Sequence, residues 1–149
     1  MALVCCAAGV VAGCNAVEVQ ASLDVQAHLD GNSLHVTGTT DLPDGALLSY
    51  ELRHEHYGHD VETPIDMLFA DGMLTVHDGA VDATLDVSLF DSGAIDFDVA
   101  FSPTLRGDRE QPSDVQARFG RQNEHLVGPN VTVAGDGSRR LSVSQTVAR

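Results

Sequence analysis

With 149 residues, 43% of them hydrophobic and 20% charged, the chain has the size of one domain and the composition of a globular protein. Eight basic residues against 22 acidic ones give a net charge of −14. That balance argues against a nucleic-acid partner, because phosphate contacts need Lys and Arg in excess. Aromatic residues make up 5% and Trp is absent, so the core must be mainly aliphatic.

Residues 1–14 read MALVCCAAGVVAGC, without a charge and with only apolar or small side chains. The run is shorter than the ~20 residues a membrane-spanning helix needs. It matches the apolar core and small-residue end of a secretory signal peptide, although a basic leading region is missing. Val11-Ala12-Gly13-Cys14 resembles a lipobox, in which Cys14 takes a lipid and becomes the first mature residue. The expected organisation is a signal and lipobox segment over 1–14 and one domain over 15–149. The expected location is extracytoplasmic, anchored to the cell membrane through Cys14, with plain secretion as the alternative. Cys5, Cys6 and Cys14 are the only cysteines, so the domain contains no disulfide framework.

Alternation begins at Val17. Val17, Val19, Ala21, Leu23, Val25, Ala27 and Leu29 share one parity, with polar residues on the other. Period 2 over 13 residues predicts a half-buried strand, or one that bends between two sheets. Asp30-Gly31-Asn32 gives a turn, and Leu34, Val36 and Gly38 face inward on the next strand. Asp41-Leu42-Pro43-Asp44-Gly45 is a second turn, before the alternation of Leu48, Tyr50 and Leu52. Asp71-Gly72, between Met67–Ala70 and Met73–Val76, predicts a hairpin. Val81, Ala83, Leu85 and Val87 form the inner face of a further strand, and Ile95, Phe97, Val99 and Phe101 that of another. Pro112 near the start and Gly120 past the end predict a short helix over 111–120, with Val115 and Phe119 on one face. Val131–Ala134 and Leu141–Val147 close the chain as a strand pair around Gly135-Asp136-Gly137. Short strands with regular turn signals point to an all-β fold: an antiparallel immunoglobulin-like β-sandwich with one crossover helix.

The sharpest polar cluster is Arg53-His54-Glu55-His56-Tyr57-Gly58-His59-Asp60. His54 and His56 project from one face of a strand, and His59 can fold back past Gly58. With Asp60 they would suit Zn²⁺, Cu²⁺ or Ni²⁺, and Met67 and Met73 would add soft ligands for Cu(I). The spacing matches no established ligand signature, and histidines at the polar end of a strand are more often solvated. No cofactor is therefore expected, and an envelope metal-binding protein is the alternative function. Asp82, Asp86, Asp96 and Asp98 take outward parities and read as solvated rather than as a carboxylate pair for glycoside hydrolysis. No nucleophile elbow and no phosphate loop is present, so no enzyme is expected. Asn130-Val131-Thr132 is an N-glycosylation sequon.

Thr40-Asp41-Leu42-Pro43-Asp44-Gly45 followed by Leu48-Ser49-Tyr50-Glu51-Leu52 resembles a motif of uncharacterised secreted or lipoprotein β-sandwich domains of bacteria and archaea. Phe101-Ser102-Pro103, then Gln111-Pro112, Val115 and Gly120, and finally Asn123–Gly128 extend that resemblance over about residues 33–128. It implies the sandwich fold and an envelope location, and carries no catalytic residue. The composition is also similar to that of proteins from salt-loving archaea: all eight basic residues are Arg, and 16 of the acids are Asp. A high-GC genome would equally favour Arg over Lys. The expected role is a binding or structural module of the cell envelope, with envelope proteins as partners.

Overall fold

The computed structural model describes residues 17–149. The segment carrying Cys14 lies outside the described residues. The described chain is all-β, with ten strands, one short α-helix and a single 3-10 turn. The strands are β1 (Val19–Gln20), β2 (Leu23–Asp30), β3 (Ser33–Thr40), β4 (Leu47–His54), β5 (Phe69–Thr75), β6 (Ala80–Asp86), β7 (Ala94–Phe101), β8 (Leu126–Val127), β9 (Val131–Val133) and β10 (Arg139–Ala148). The helix α1 spans Ser113–Phe119 and the 3-10 turn Ile65–Met67.

Strands β2-β3-β6 form a three-stranded antiparallel sheet, and β5-β4-β7-β10-β9 a five-stranded one. A third pair, β1 with β8, is parallel. Period 2 explains the core. Ala21, Leu23, Val25 and Ala27 from the first sheet's side join Leu48, Leu52, Phe97, Val99 and Phe101 from the second in one buried cluster. The polar residues between them face water. Helix α1 adds Val115 and Phe119, one turn apart, and the Phe119 ring meets Phe101 edge to face with a centroid separation of 5.1 Å.

The long alternation from Val17 is divided between two sheets. At Ala21-Ser22 the chain leaves its parallel partner β8 and enters β2. Ser22 holds that step: its N–H donates to the Asp41 carboxylate, and its carbonyl accepts the Thr40 hydroxyl at 2.6 Å. The Asp41–Gly45 turn is thus tied to the strand switch. The same turn receives the Asp78 N–H on the Asp44 carboxylate at 2.8 Å.

One expectation is overturned. Asp71-Gly72 is not a hairpin turn: β5 runs through it, with Gly72 directly opposite Tyr50 on β4 and Asp71 opposite Glu51. Gly72 is needed for close approach. A Cβ there would lie 2.6 Å from the Tyr50 Oη and 2.7 Å from two ring carbons. The glycine makes room for a neighbour's ring without reversing the chain.

Candidate functional site

Two polar regions come together around β4. The first is its C-terminal end, where the histidines sit. His54 closes β4 and is 2% exposed. Its Nδ1 accepts the His56 N–H at 3.2 Å, and its Nε2 faces the Ser92 carbonyl at 3.4 Å. The ring lies against Gly93, where an added Cβ would come within 2.6 Å of Nε2. The His56 ring meets it edge-on at 5.0 Å. His56 and His59, with Asp60, Val61 and Glu62, border a wide, open hollow. The Asp60 carboxylate is turned inward on its own loop. It accepts the Thr63 hydroxyl at 2.5 Å and the N–H groups of Glu62 and Thr63 at 2.9 and 3.1 Å. The Thr63 hydroxyl, more than the two amides, holds its pKa below the usual carboxylate value.

This geometry does not assemble His54, His56, His59 and Asp60 as a ligand set. Among the described residues no group of three or more His, Cys, Asp or Glu side chains is gathered to hold a metal ion. Both nitrogens of His54 are engaged and buried, and Asp60 serves as a turn cap. His54 is a core-closing histidine, with both ring nitrogens turned to its own neighbours. Period 2 placed His54 and His56 on one face. The chain leaves the strand at Glu55; the two rings stay in edge contact, with His54 buried and His56 exposed.

The second region is a cleft of about 190 Å³ at β4, β5 and the segment after β7. Glu51 on β4 and Asp71 on β5 face each other across the ladder. The Arg106 guanidinium spans them, with 3.1 Å to Glu51 Oε1 and 2.9 Å to Asp71 Oδ2. The other Glu51 oxygen takes Arg53. Arg106 also lies over the Phe69 ring, 5.3 Å from its centroid, and Tyr57 stacks on Phe69 at 5.0 Å. Cation and ring together fix the 102–110 segment relative to the sheet. At the far wall Arg140 pairs with Asp98, which also accepts the Ser144 hydroxyl at 2.7 Å. Tyr50 borders the cleft half-buried. Burial, then the Asp71 charge, raises its phenol above the ordinary value of 10.0.

Ion pairs this exposed contribute only about 0–1 kcal/mol each. Their consequence is arrangement. The charges neutralise one another and leave a lining of fixed donors and acceptors, with Ser49, Ser102 and Thr104 between them. The sequence marks Glu51 only as an outward residue of an alternating strand. Reading Asp71-Gly72 as a turn hid its partner, and nothing local links Arg106 to either.

The remaining candidates are dispersed. Asp82 and Asp86 stand exposed on β6, and Asp86 accepts the Ser88 N–H at 2.8 Å. Asp96, on β7, accepts the Thr146 hydroxyl at 2.6 Å. Asn130 is exposed in the turn before β9.

No family model and no curated protein matches the chain. Among solved structures it is similar to wild-type OgpA from Akkermansia muciniphila, at 12% identity and a TM-score of 0.44, covering 88% of this chain and 29% of that one. A catalytically inactive OgpA from the same organism, in complex with an O-glycopeptide (glycodrosocin) substrate, matches at 11% identity and a TM-score of 0.41, over 89% of this chain and 31% of that one. The chain thus spans less than a third of those proteins' length. Likeness of that degree assigns it neither an activity nor a ligand.

Proposed function

We propose that this chain is a non-catalytic binding or structural module of the cell envelope, an immunoglobulin-like β-sandwich tethered to the membrane by a lipid on Cys14. The cleft at Glu51, Asp71 and Arg106 carries the binding part of this reading. Its polar groups are held by one another before any partner arrives, which lowers the ordering cost of association. The sandwich assignment is supported by strand order. Successive segments divide between β2-β3-β6 and β5-β4-β7-β10 by repeated crossing from one sheet to the other, as immunoglobulin-like chains do. The resemblance to secreted and lipoprotein β-sandwich domains supports the same reading.

The envelope location rests on the apolar, small-residue segment that ends in Val11-Ala12-Gly13-Cys14. Among the described residues no helix is long and apolar enough to cross a membrane. In this reading the partners are neighbouring envelope proteins that present polar surface to the cleft.

Two measurements on the full chain test it. Cys14→Ser should move the protein from the membrane fraction to the medium, and continued membrane association would overturn the lipid anchor. The released Cys14→Ser protein should then bind washed envelopes saturably, with binding lost on adding Arg106→Ala. Equal retention of both proteins would remove the cleft from the function.

A further inference from the structure

The two larger sheets end in four outer strands: β2 and β6 on one, β5 and β9 on the other. An open strand edge pairs readily with other chains, so folded proteins guard it. Three of these edges have a guard. On β2 the Gln145 carboxamide bonds both backbone groups of Ala27, at 2.9 and 2.8 Å. On β6, Asp82 and Asp86 stand exposed. On β5, Asp71 carries its charge and is bridged by Arg106. The fourth, β9, reads Val131-Thr132-Val133: β-branched, uncharged, and with Val133 64% exposed. In the β9–β10 ladder the Asn130 carbonyl accepts the Ser142 N–H, and the Ala134 N–H donates to the Ser138 carbonyl. By the alternation of an antiparallel ladder, the backbone groups of Val131 and Val133 point away from β10.

Asn130 stands at the start of this bare edge, and Thr132 lies within it. Asn130-Val131-Thr132 is the one Asn-x-Ser/Thr triplet among the chain's four asparagines. Asn130 is exposed, in the left-handed region at φ 61°. We infer that Asn130 carries an N-linked glycan, and that this glycan guards the β9 edge. The inference rests on the extracytoplasmic reading, because the acceptor must meet a lipid-linked sugar donor outside the cytosol. In the transfer, Asn130 Nδ2 bonds to the anomeric carbon of the sugar. The bond from that carbon to a lipid phosphate or pyrophosphate oxygen breaks. The lipid phosphate or pyrophosphate leaves, and one amide proton passes to a base of the transferase. Nothing is oxidised or reduced. The bulky, hydrated product excludes a second strand from the free N–H and C=O groups beside it.

The test uses full-length protein purified from its own host and cleaved after Arg, with the mass of peptide Gln122–Arg139 as the readout. A glycan mass on Asn130 is expected, retained in Thr132→Ser and lost in Thr132→Val, which keeps the strand's shape. Bare Asn130 in molecules that carry a lipid on Cys14 would overturn the inference and leave the envelope reading standing. Bare Asn130 in molecules recovered with unmodified Cys14 from the cytosol would overturn both. A guarding role further predicts that the Thr132→Val protein self-associates more in sedimentation than the glycosylated one, and that adding Val133→Lys reverses this. Equal sedimentation would remove the guarding role.

Discussion

Gln111, whose side chain is buried beneath the start of α1, bonds both backbone groups of Leu47: its Oε1 accepts the Leu47 N–H at 2.9 Å and its Nε2 donates to the Leu47 carbonyl at 2.7 Å. A carboxamide here does the work of a strand neighbour. Gln145 does the same for Ala27, a contact that joins β10 to the edge of β2. The two side chains connect parts of the chain 64 and 118 residues apart. They satisfy main-chain groups that would otherwise be part-buried and unpaired.

Replacing either glutamine by Ala should therefore destabilise more than loss of a surface side chain. Each change leaves one donor and one acceptor without a partner, at roughly 1–3 kcal/mol per variant. Gln111→Leu should cost about as much as Gln111→Ala, because shape without the amide restores neither bond. Urea unfolding at fixed pH and salt reads this directly. A loss below about 0.5 kcal/mol in both Ala variants would mean that water replaces the carboxamides freely.

Gly72 and Tyr50 give a sharper test of packing. Gly72→Ala places a methyl 2.6 Å from the Tyr50 Oη, so the ring must swing off β5. Overpacking of this kind costs roughly 1–3 kcal/mol. The displaced phenol leaves its half-buried position beside Asp71, so its raised pKa should fall toward 10.0. The chain has only two tyrosines, so an absorbance titration resolves the change. Tyr50→Ala in the Gly72→Ala background should recover part of the lost stability. A Tyr50 titration unchanged by Gly72→Ala would show that the ring does not rest on this glycine.

These residues also show how far the sequence alone could be read. Strand faces were legible because period 2 is written in Leu34, Val36, Val81, Ile95 and Phe97, and burial follows it directly. The helix was legible through Pro112 and Gly120, which bracket Ser113–Phe119. Asp71-Gly72 was misread because a glycine that yields space to a ring looks, in one dimension, like a glycine that turns the chain. The cleft was not legible at all. Glu51, Asp71 and Arg106 lie on three separated segments, and only the β4–β5 register brings the two acids face to face. The different fates of the histidines are not written in parity: His54 and His56 are two apart and their rings touch, yet one is buried and the other exposed.

Acid should loosen the loop after β4 before it unfolds the sheets. Asp60 has its pKa lowered in the folded chain, chiefly by the Thr63 hydroxyl, and its ordinary value is 3.8. A lowered folded value means the stabilisation is complete above the unfolded pKa and disappears as pH falls through the folded one. Above pH 4 the Asp60 cap should be intact. As pH falls through the lowered folded value, the Glu62 and Thr63 N–H groups should lose their charged acceptor and exchange faster with solvent. Asp60→Asn should remove that acid step while keeping a weaker acceptor. Exchange at Glu62 and Thr63 that shows no acceleration as pH falls to the onset of global unfolding, after correction for intrinsic rates, would count against the cap.

Salt should stabilise the fold, and the reason is the distribution of charge. Residues 17–105 hold one Arg and 17 acids, a net charge of −16, whereas residues 106–149 hold seven Arg and five acids, a net charge of +2. Most of the self-repulsion therefore lies among β2 to β7. Exposed acids such as Asp24, Asp82, Asp86 and Asp96 stand on strands whose register fixes their spacing. Raising ionic strength from about 0.01 M to about 1 M shortens the screening length from roughly 30 Å to roughly 3 Å, which removes repulsion between strands but spares contact pairs. The melting temperature should rise with NaCl over that range. Replacing Asp24 and Asp82 together by Asn should raise Tm in dilute buffer and flatten its salt dependence, because those exposed carboxylates supply part of the repulsion. Arg106→Ala should act in the opposite direction, since it leaves Glu51 and Asp71 facing each other without the cation between them. A Tm that is independent of salt in the unaltered chain would mean the acidic surface is already relaxed in dilute solution, and the case for a salt-adapted protein would fall with it.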